Sequence, residues 1–350
     1  MSKVGKGQNK LYAIDLFSGC GGLSLGLKKS GFSVVAAVEI DAKAQETYRL
    51  NHPSVRVYHQ DIRALDPLSI LREVGLRPGQ LDLLAGCPPC QGFSRLRTKN
   101  RDVSVSDERN DLIFHFLRFV EMAKPKTVML ENVPSLIKDA RFKDFCLALE
   151  RFGYGTVADV LDAADYSVPQ RRKRLIMLAS KVHTPALAEA SRNRVTVRRA
   201  FSKLESPKKT LDALHSMGER RSDAVCKIIS LIPKNGGSRR DIPKKYQLEC
   251  HKRSDGFNDV YGRMAWDSVS PTITSGCNNP SKGRFLHPSQ NRTITLREAA
   301  VLQGFPKKYR FNVDHGKESI ALMIGNALPP PFIAAHASDL RKGLLLRQAL

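Results

Sequence analysis

The chain has 350 residues, with 57 Lys and Arg against 34 Asp and Glu, for a formal net charge of +23. At 41% hydrophobic residues it can bury the core of one or two domains and is too apolar for a disordered chain. No apolar run reads as long enough to span a bilayer, and the first ten residues lack the apolar centre of a secretory signal. Seven irregularly spaced cysteines argue against a disulfide framework and for a reducing compartment. The basic balance points to a polyanionic partner, most often nucleic acid, with a merely soluble basic protein as the bland alternative.

The elements come in a regular rhythm. A short apolar run over 12–17 predicts a strand entering a glycine cluster, followed by a helix over 23–30. A second strand over 34–40 and a helix over 42–51 come next. Strands are predicted over 55–58 and 81–85, with a helix over 67–74 between them. A helix over 111–123, a strand over 127–130 and a strand over 175–179 close the series. Continuous apolar strands alternating with amphipathic helices predict an α/β fold, a doubly wound and mostly parallel sheet covered on both faces. Such sheets bind ligands at the carboxyl ends of their strands.

Residues 181–284 break this rhythm. They carry +11 of the net charge, against +7 for 1–180 and +5 for 285–350. Their apolar runs are short and punctuated by Ser206-Pro207, Pro233 to Gly237 and Asn279-Pro280. The expected organisation is a regular domain of 1–180 plus 285–350, interrupted by a smaller irregular module at 181–284.

The predicted strand ends carry the chemistry. The first runs into a turn with Gly19, Gly21, Gly22 and Gly26, where glycines permit a tight turn and close backbone approach to a ligand. Glu39 ends the second strand, placed to accept from ribose hydroxyls. Ser24 stands where a dinucleotide fingerprint needs its third glycine, which favours an adenosine ligand without a pyrophosphate. Asp61 and Ile62, after the third strand, suit an adenine amine and ring face; ordinary βα turns with exposed acids are the alternative.

The fourth strand leads into Gly86-Cys87-Pro88-Pro89-Cys90-Gln91-Gly92-Phe93-Ser94. A cysteine at such a strand end suits a thiolate nucleophile. The C-x-x-C spacing of Cys87 and Cys90 also fits a redox pair or half of a zinc site, but no second paired motif supplies further zinc ligands, and no metal is expected. Cys90 then reads as the nucleophile and Cys87 as a structural neighbour. Glu131, ending the next strand, faces the same cleft, and partial burial would raise its pKa toward that of a proton donor. Arg172 and Arg174 share one face of an extended segment, as a clamp for an anionic substrate or as a solvated basic edge.

Taken in order, these segments resemble the DNA (cytosine-5) methyltransferases of bacterial restriction–modification systems and solitary methylases. Asp15 to Gly26, Val38 to Asp41, Gly86 to Ser94, Glu131-Asn132-Val133 and Gln170 to Arg174 match the amino-terminal motifs. Arg292 to Pro306 and Gly325 to Pro330 match the carboxyl-terminal ones. The resemblance implies S-adenosylmethionine as cofactor, contacted by Phe17, Gly19, Cys20, Gly21, Gly22, Leu23, Glu39, Ile40, Asp61, Ile62, Pro89, Asn326 and Ala327. It implies Cys90, Glu131, Arg172 and Arg174 as catalytic residues and 181–284 as the target-recognition domain. Gln91, Ser94, Arg95, Arg97, Thr272 and Ile273 are the implied contacts to DNA. Residues 91–110 look like a loop that closes over the DNA, or a plain surface loop.

The implied activity adds the Cys90 thiolate to carbon 6 of a flipped-out cytosine, so that carbon 5 accepts a methyl group. A cytoplasmic, nucleoid-associated monomer acting on double-stranded DNA is expected. A tRNA methyltransferase of the same fold and a catalytically silent DNA-binding relative are the alternatives.

Overall fold

The computed structural model describes residues 10–89, 111–191, 193–247 and 259–348. The first half alternates β1 (Leu11–Leu16), α1 (Gly22–Lys29), β2 (Phe32–Val38), α2 (Ala42–Asn51), β3 (Arg56–Tyr58), α3 (Pro67–Glu73) and β4 (Leu83–Gly86). It continues with α4 (Leu112–Ala123), β5 (Thr127–Asn132), α5 (Ala140–Arg151), β6 (Gly155–Asp162) and β7 (Lys173–Ser180). The strands form one seven-stranded sheet in the order β3-β2-β1-β4-β5-β7-β6. β1 to β5 run parallel, while β7 is antiparallel to both of its neighbours.

Local chemistry sets the helix starts. Asp41, Asp66 and Asp139 cap α2, α3 and α5 by accepting from backbone N–H groups of the first turns. On α4, Ile113, Phe116, Phe119, Val120 and Ala123 are buried at helical spacing, which turns one apolar face to the sheet. One face of the sheet packs on α3, α4 and α5 through Ile70, Phe116 and Phe145. The other packs on α1 and α2 through Leu23, Leu27 and Tyr48, and on the last helix of the chain through Phe332, Ile333 and Leu340. The carboxyl-terminal segment therefore returns to the sheet.

β6 has no counterpart among the predicted strands. It is an edge strand, half-exposed along its whole length, and Gly155, Asp159 and Asp162 give it a weak strand signature.

Beyond β7 lie short helices α6 (Val197–Phe201), α7 (Ala213–Ser216) and α8 (Asp223–Leu231), then α9 (Leu296–Leu302), α10 (Gly316–Asn326) and α11 (Pro330–Gln348). Among the described residues between 181 and 295, β structure is confined to isolated bridges at Arg263, Ser270, Leu286 and Thr293. One apolar cluster joins Val197, Phe201 and Leu214 to Ile294, Ala300 and Ile324. A smaller one gathers Ile228, Ile229, Ile232, Ile242, Tyr261 and Leu286.

The stretch Val313–Gln348 corrects one expectation, because by length and composition it could cross a membrane. The apolar content is distributed over α10 and α11, broken at Ala327 to Pro329, and is mostly buried inside the protein, as in a core helix.

Arg263 organises the irregular region. Its side chain is fully buried, and its guanidinium donates to the carbonyls of Ile229, Ile232, His287 and Gln290 and to Asn291 Oδ1. These carbonyls belong to segments with no sheet ladder to satisfy them, so the arginine does that work. Arg263→Met should lower stability by about 3–5 kcal/mol, because it leaves several buried acceptors without donors. Urea unfolding of the variant beside the unaltered protein checks this.

Candidate active site

The parallel strands deliver their carboxyl ends to one edge of the sheet. β1 leads there into Phe17 to Gly22, β2 into Glu39, β3 into Asp61, β4 into Cys87, and β5 ends in Glu131 and Asn132. Because β7 runs the other way, its amino end reaches the same edge: Asn132 pairs with Leu175, and Arg174 lies beside Glu131.

The turn after β1 is built on left-handed backbone at Phe17 (φ 61°), Gly19 (φ 54°) and Gly21 (φ 95°). At Gly21 a Cβ would also fall 2.6 Å from His52 Nε2, so this position admits only glycine without rearrangement. Phe17 is a bulky residue in a conformation that bulky residues avoid, a form of strain that concentrates at functional sites. Glu39 braces the turn, its Oε2 accepting from Gly19 N at 2.7 Å and its Oε1 from Asp41 N at 2.8 Å. Each oxygen keeps a second lone pair. Ile40, between them, is 61% exposed, an apolar surface beside the turn. Cys20, Gly22 and Leu23 are buried beneath it.

Ile62 is in the core, whereas Asp61 is held by Arg63, with Arg63 Nη2 donating to Oδ2 at 2.7 Å. That bond holds the Asp61 carboxyl below the usual range. The expected contact from Asp61 to an adenine amine therefore means sharing this carboxylate with Arg63.

Glu131 is almost wholly buried. Cys87 Sγ donates to its Oε2 at 2.9 Å, and Arg174 Nε stands 3.1 Å from Oε1 as an ion pair. That contact lacks the alignment of a hydrogen bond, so Oε1 accepts none among the described residues. Burial pushes the Glu131 carboxyl up, with Arg174 opposing it. Asn132 Nδ2 donates to Pro88 O at 3.0 Å, tying the segment before Cys90 to the end of β5. Pro89 is exposed. Cys90, Gln91, Ser94, Arg95 and Arg97, and with them the expected loop of 91–110, lie outside the described residues.

Arg172 is buried, and donates from Nη1 to Ile273 O at 3.0 Å and from Nη2 to Gly325 O at 2.9 Å. It thus ties three distant segments together, and its Nε has no partner among the described residues. Gln170 acts beside it: Nε2 donates to Leu302 O and Gln303 Oε1, and Oε1 accepts from Ile273 N at 2.7 Å. Gln303 also donates to Ala327 O. Ile273 is fully buried, and Thr272 Oγ1 donates to Arg171 O at 2.7 Å. Gly325 lets α10 approach closely, since a Cβ there would lie 2.3 Å from Ser275 N. Asn326 is exposed and Ala327 partly buried at the end of α10.

Sequence reasoning missed the bond from Cys87 to Glu131 and the bridging role of Gln170. Only their closeness to the recognised motifs pointed to them. The cysteines described, Cys20, Cys87, Cys146, Cys226 and Cys277, are all free thiols. Among the described residues no group of three or more His, Cys, Asp or Glu is placed to hold a metal ion.

A sheet of this order, with a glycine turn and an acid at its first two strand ends and a buried glutamate at the fifth, is that of a nucleoside-cofactor methyltransferase. The family model for C-5 cytosine-specific DNA methylase matches residues 11–342, and the chain belongs to that family. The Type II methylase M.HgiDII of Herpetosiphon aurantiacus is 35% identical over 95% of both chains. The Type II methyltransferase M1.HphI of Haemophilus parahaemolyticus is 34% identical over 94% of this chain and 86% of that one. A protein assigned as a DNA modification methyltransferase encoded within an E. coli prophage superposes with a TM-score of 0.69 at 26% identity, covering 96% of this chain and 100% of that one. The protein is a DNA (cytosine-5)-methyltransferase, and its cofactor is S-adenosylmethionine.

The residues present fit that cofactor. Ser18 Oγ and Asp15 Oδ1, beneath the turn, are buried with no hydrogen-bond partner among the described residues. Asp15 Oδ2 accepts from Ser24 Oγ at 2.7 Å, and Ser24 Oγ lies 2.6 Å from Tyr48 OH. Burial raises Asp15 from 3.8 to about 7. The unfolded chain therefore releases this proton near pH 4 and the folded one near pH 7. Between those values the folded state binds more protons, so this contribution to stability falls as pH rises and levels off above pH 7. Asp15→Asn should remove a pH-dependent difference on the order of 4 kcal/mol, read by urea unfolding of both proteins through and above that window.

Proposed function

We propose that this enzyme methylates carbon 5 of a cytosine flipped out of duplex DNA, through a transient bond from Cys90 to carbon 6, with Glu131 as the acid at ring nitrogen 3. The observation that carries this reading is the buried Glu131 at the end of β5, held between Cys87 and Arg174, with Cys90 three residues beyond Cys87 in the chain.

Each residue has a defined task. The Cys90 thiolate adds to carbon 6, and Glu131 gives its proton to nitrogen 3, so that electron density collects at carbon 5. S-adenosylmethionine, when bound, supplies an electrophilic methyl group on its sulfonium centre. Loss of the carbon 5 proton to a base then restores the double bond as the Cys90–carbon 6 bond breaks, returning the thiolate, and nitrogen 3 gives its proton back to the Glu131 carboxylate. A carboxyl raised by burial keeps its proton to higher pH than an exposed one, which suits it to act as an acid. Arg174 favours ionised Glu131, and so limits how far that rise goes. Arg172 acts through the backbone it ties down and through the cationic field it adds beside Glu131.

Cofactor contacts are assigned to Phe17, Gly19 to Leu23, Glu39, Ile40, Asp61, Ile62, Pro89, Asn326 and Ala327. Residues 181–284 form the target-recognition domain, and 1–180 with 285–350 the catalytic one. Gln91, Ser94, Arg95, Arg97 and Thr272 touch the DNA, and the buried Ile273 supports that surface from beneath. Flipping the base costs a few kcal/mol, which contacts around the vacated stack offset. The enzyme acts as a cytoplasmic, nucleoid-associated monomer in this reading.

Cys90→Ser should lose methyl transfer by about a thousandfold or more while keeping its fold and cofactor binding. Mapping 5-methylcytosine in DNA from cells expressing each form checks this; methylation that persists in the variant removes Cys90 as nucleophile, and labelling of RNA in place of DNA removes the DNA reading. If about five phosphates are neutralised, log affinity for duplex DNA should fall with log salt at a slope near −4.5. Binding titrations across salt concentrations measure that slope, and a nearly flat line counts against a phosphate-contacting surface.

A further inference from the structure

The thiol that follows β4, Cys87, is not used by this mechanism, yet it makes a directed contact with a group that is. β4 and β5 pair in parallel with Gly86 opposite Leu130, which sets Cys87 and Glu131 side by side one residue further along. From there Cys87 Sγ donates to Glu131 Oε2 at 2.9 Å. Among the described residues, the charged and titratable groups facing Glu131 are Cys87 just past β4, Arg174 on β7 and Arg172 just ahead of β7. Of these, the thiol is the one that makes an aligned hydrogen bond to the carboxyl.

We infer that Cys87 is a positioning residue for Glu131, its thiol fixing Oε2 as the acceptor so that the acid carries its proton on Oε1. This rests on the reading of Glu131 as the proton donor to the base. A carboxylic acid has one carbonyl oxygen and one hydroxyl oxygen. A donor held on Oε2 makes that oxygen the carbonyl, and the hydroxyl falls to Oε1, which accepts no hydrogen bond among the described residues. The thiol also favours the ionised form over the neutral one, since a hydrogen bond to a charged acceptor is the stronger. Two settings therefore follow from one bond: which oxygen delivers the proton, and at what pH it is held. Cys87 itself stays a thiol, because burial and the neighbouring Glu131 push it well above the usual cysteine range. It is thus unsuited to be a second nucleophile beside Cys90.

The test compares the full-length enzyme with C87A, C87S, E131Q and the C87A/E131Q double variant in single-turnover methyl transfer to duplex DNA across pH. In C87A the limb on which the rate falls as Glu131 ionises should move up by about one pH unit. C87S, which keeps a donor, should restore the profile, and C87A should add nothing in the E131Q background. A second readout uses the unaltered protein: the S–H stretching band assigned to Cys87 by difference against C87S should lie at lower frequency than that of a free thiol and return toward it in E131Q. A C87A profile that superimposes on that of the unaltered enzyme, rate losses that multiply in the double variant, or an S–H band indifferent to E131Q would overturn the inference. Should E131Q itself transfer methyl groups at the full rate, the assignment of Glu131 as proton donor is what fails, and the role of Cys87 goes with it.

Discussion

The antiparallel pairing of β5 with β7 is the constraint on which the site depends. Five parallel strands bring a glycine turn, two acids, a thiol and Glu131 to one edge, but among the described residues they bring no cation close to the glutamate. Reversing β7 places its amino end at that edge, with Asn132 opposite Leu175 and Arg174 3.1 Å from Glu131. A parallel strand in that position would carry Arg174 to the far edge of the sheet, and Glu131 would be left buried with burial as the dominant influence on its proton. The same reversal sets the residues before β7 at the carboxyl edge, where Arg172 reaches Gly325 and Ile273.

From that segment the irregular region is hung on the sheet by buried polar side chains. Gln170 and Arg172 together take Leu302, Gln303, Ile273 and Gly325, which are distant in sequence, and fix them against the start of β7. Arg263 does the same inside the irregular region. Where there is no ladder to pair backbone groups, a planar guanidinium with five donors is an economical replacement. Such a join is directional, since each donor needs its own carbonyl, whereas an apolar interface tolerates sliding. The start of β7, the segment around Ile273 and the end of α10 are thereby held in one register through Gly325, whose missing side chain permits the contact.

The distinction between what could be read from sequence and what could not follows the range of the interactions. Buried strands such as Leu83–Gly86 and Thr127–Asn132 announce themselves as continuous apolar runs, and the glycine turn and Glu39 are local to their strand ends. β6 escaped because an edge strand covered on one side needs no such run. Cys87 and Glu131 lie 44 residues apart, and Arg172 meets carbonyls 101 and 153 residues away. No local pattern encodes these meetings, and a fully buried Arg263 is indistinguishable in sequence from an arginine on a phosphate-binding face.

That last ambiguity changes how the basic excess of 181–284 works. Arg263 is spent on backbone carbonyls, Arg198 on Asp267, Arg221 on Glu219 and Arg284 on Asp259, so much of the guanidinium charge in this stretch serves the fold. Lys203, Lys208, Lys209, Lys227, Lys244 and Lys245 are exposed. Ammonium groups are compact, mobile point charges suited to phosphates, whereas bidentate reading of a base edge calls for a planar fork or an amide. Exposed lysines can attract a polyanion without favouring any sequence, while the exposed Arg194, Arg199, Arg220 and Arg240 keep planar forks on the same stretch.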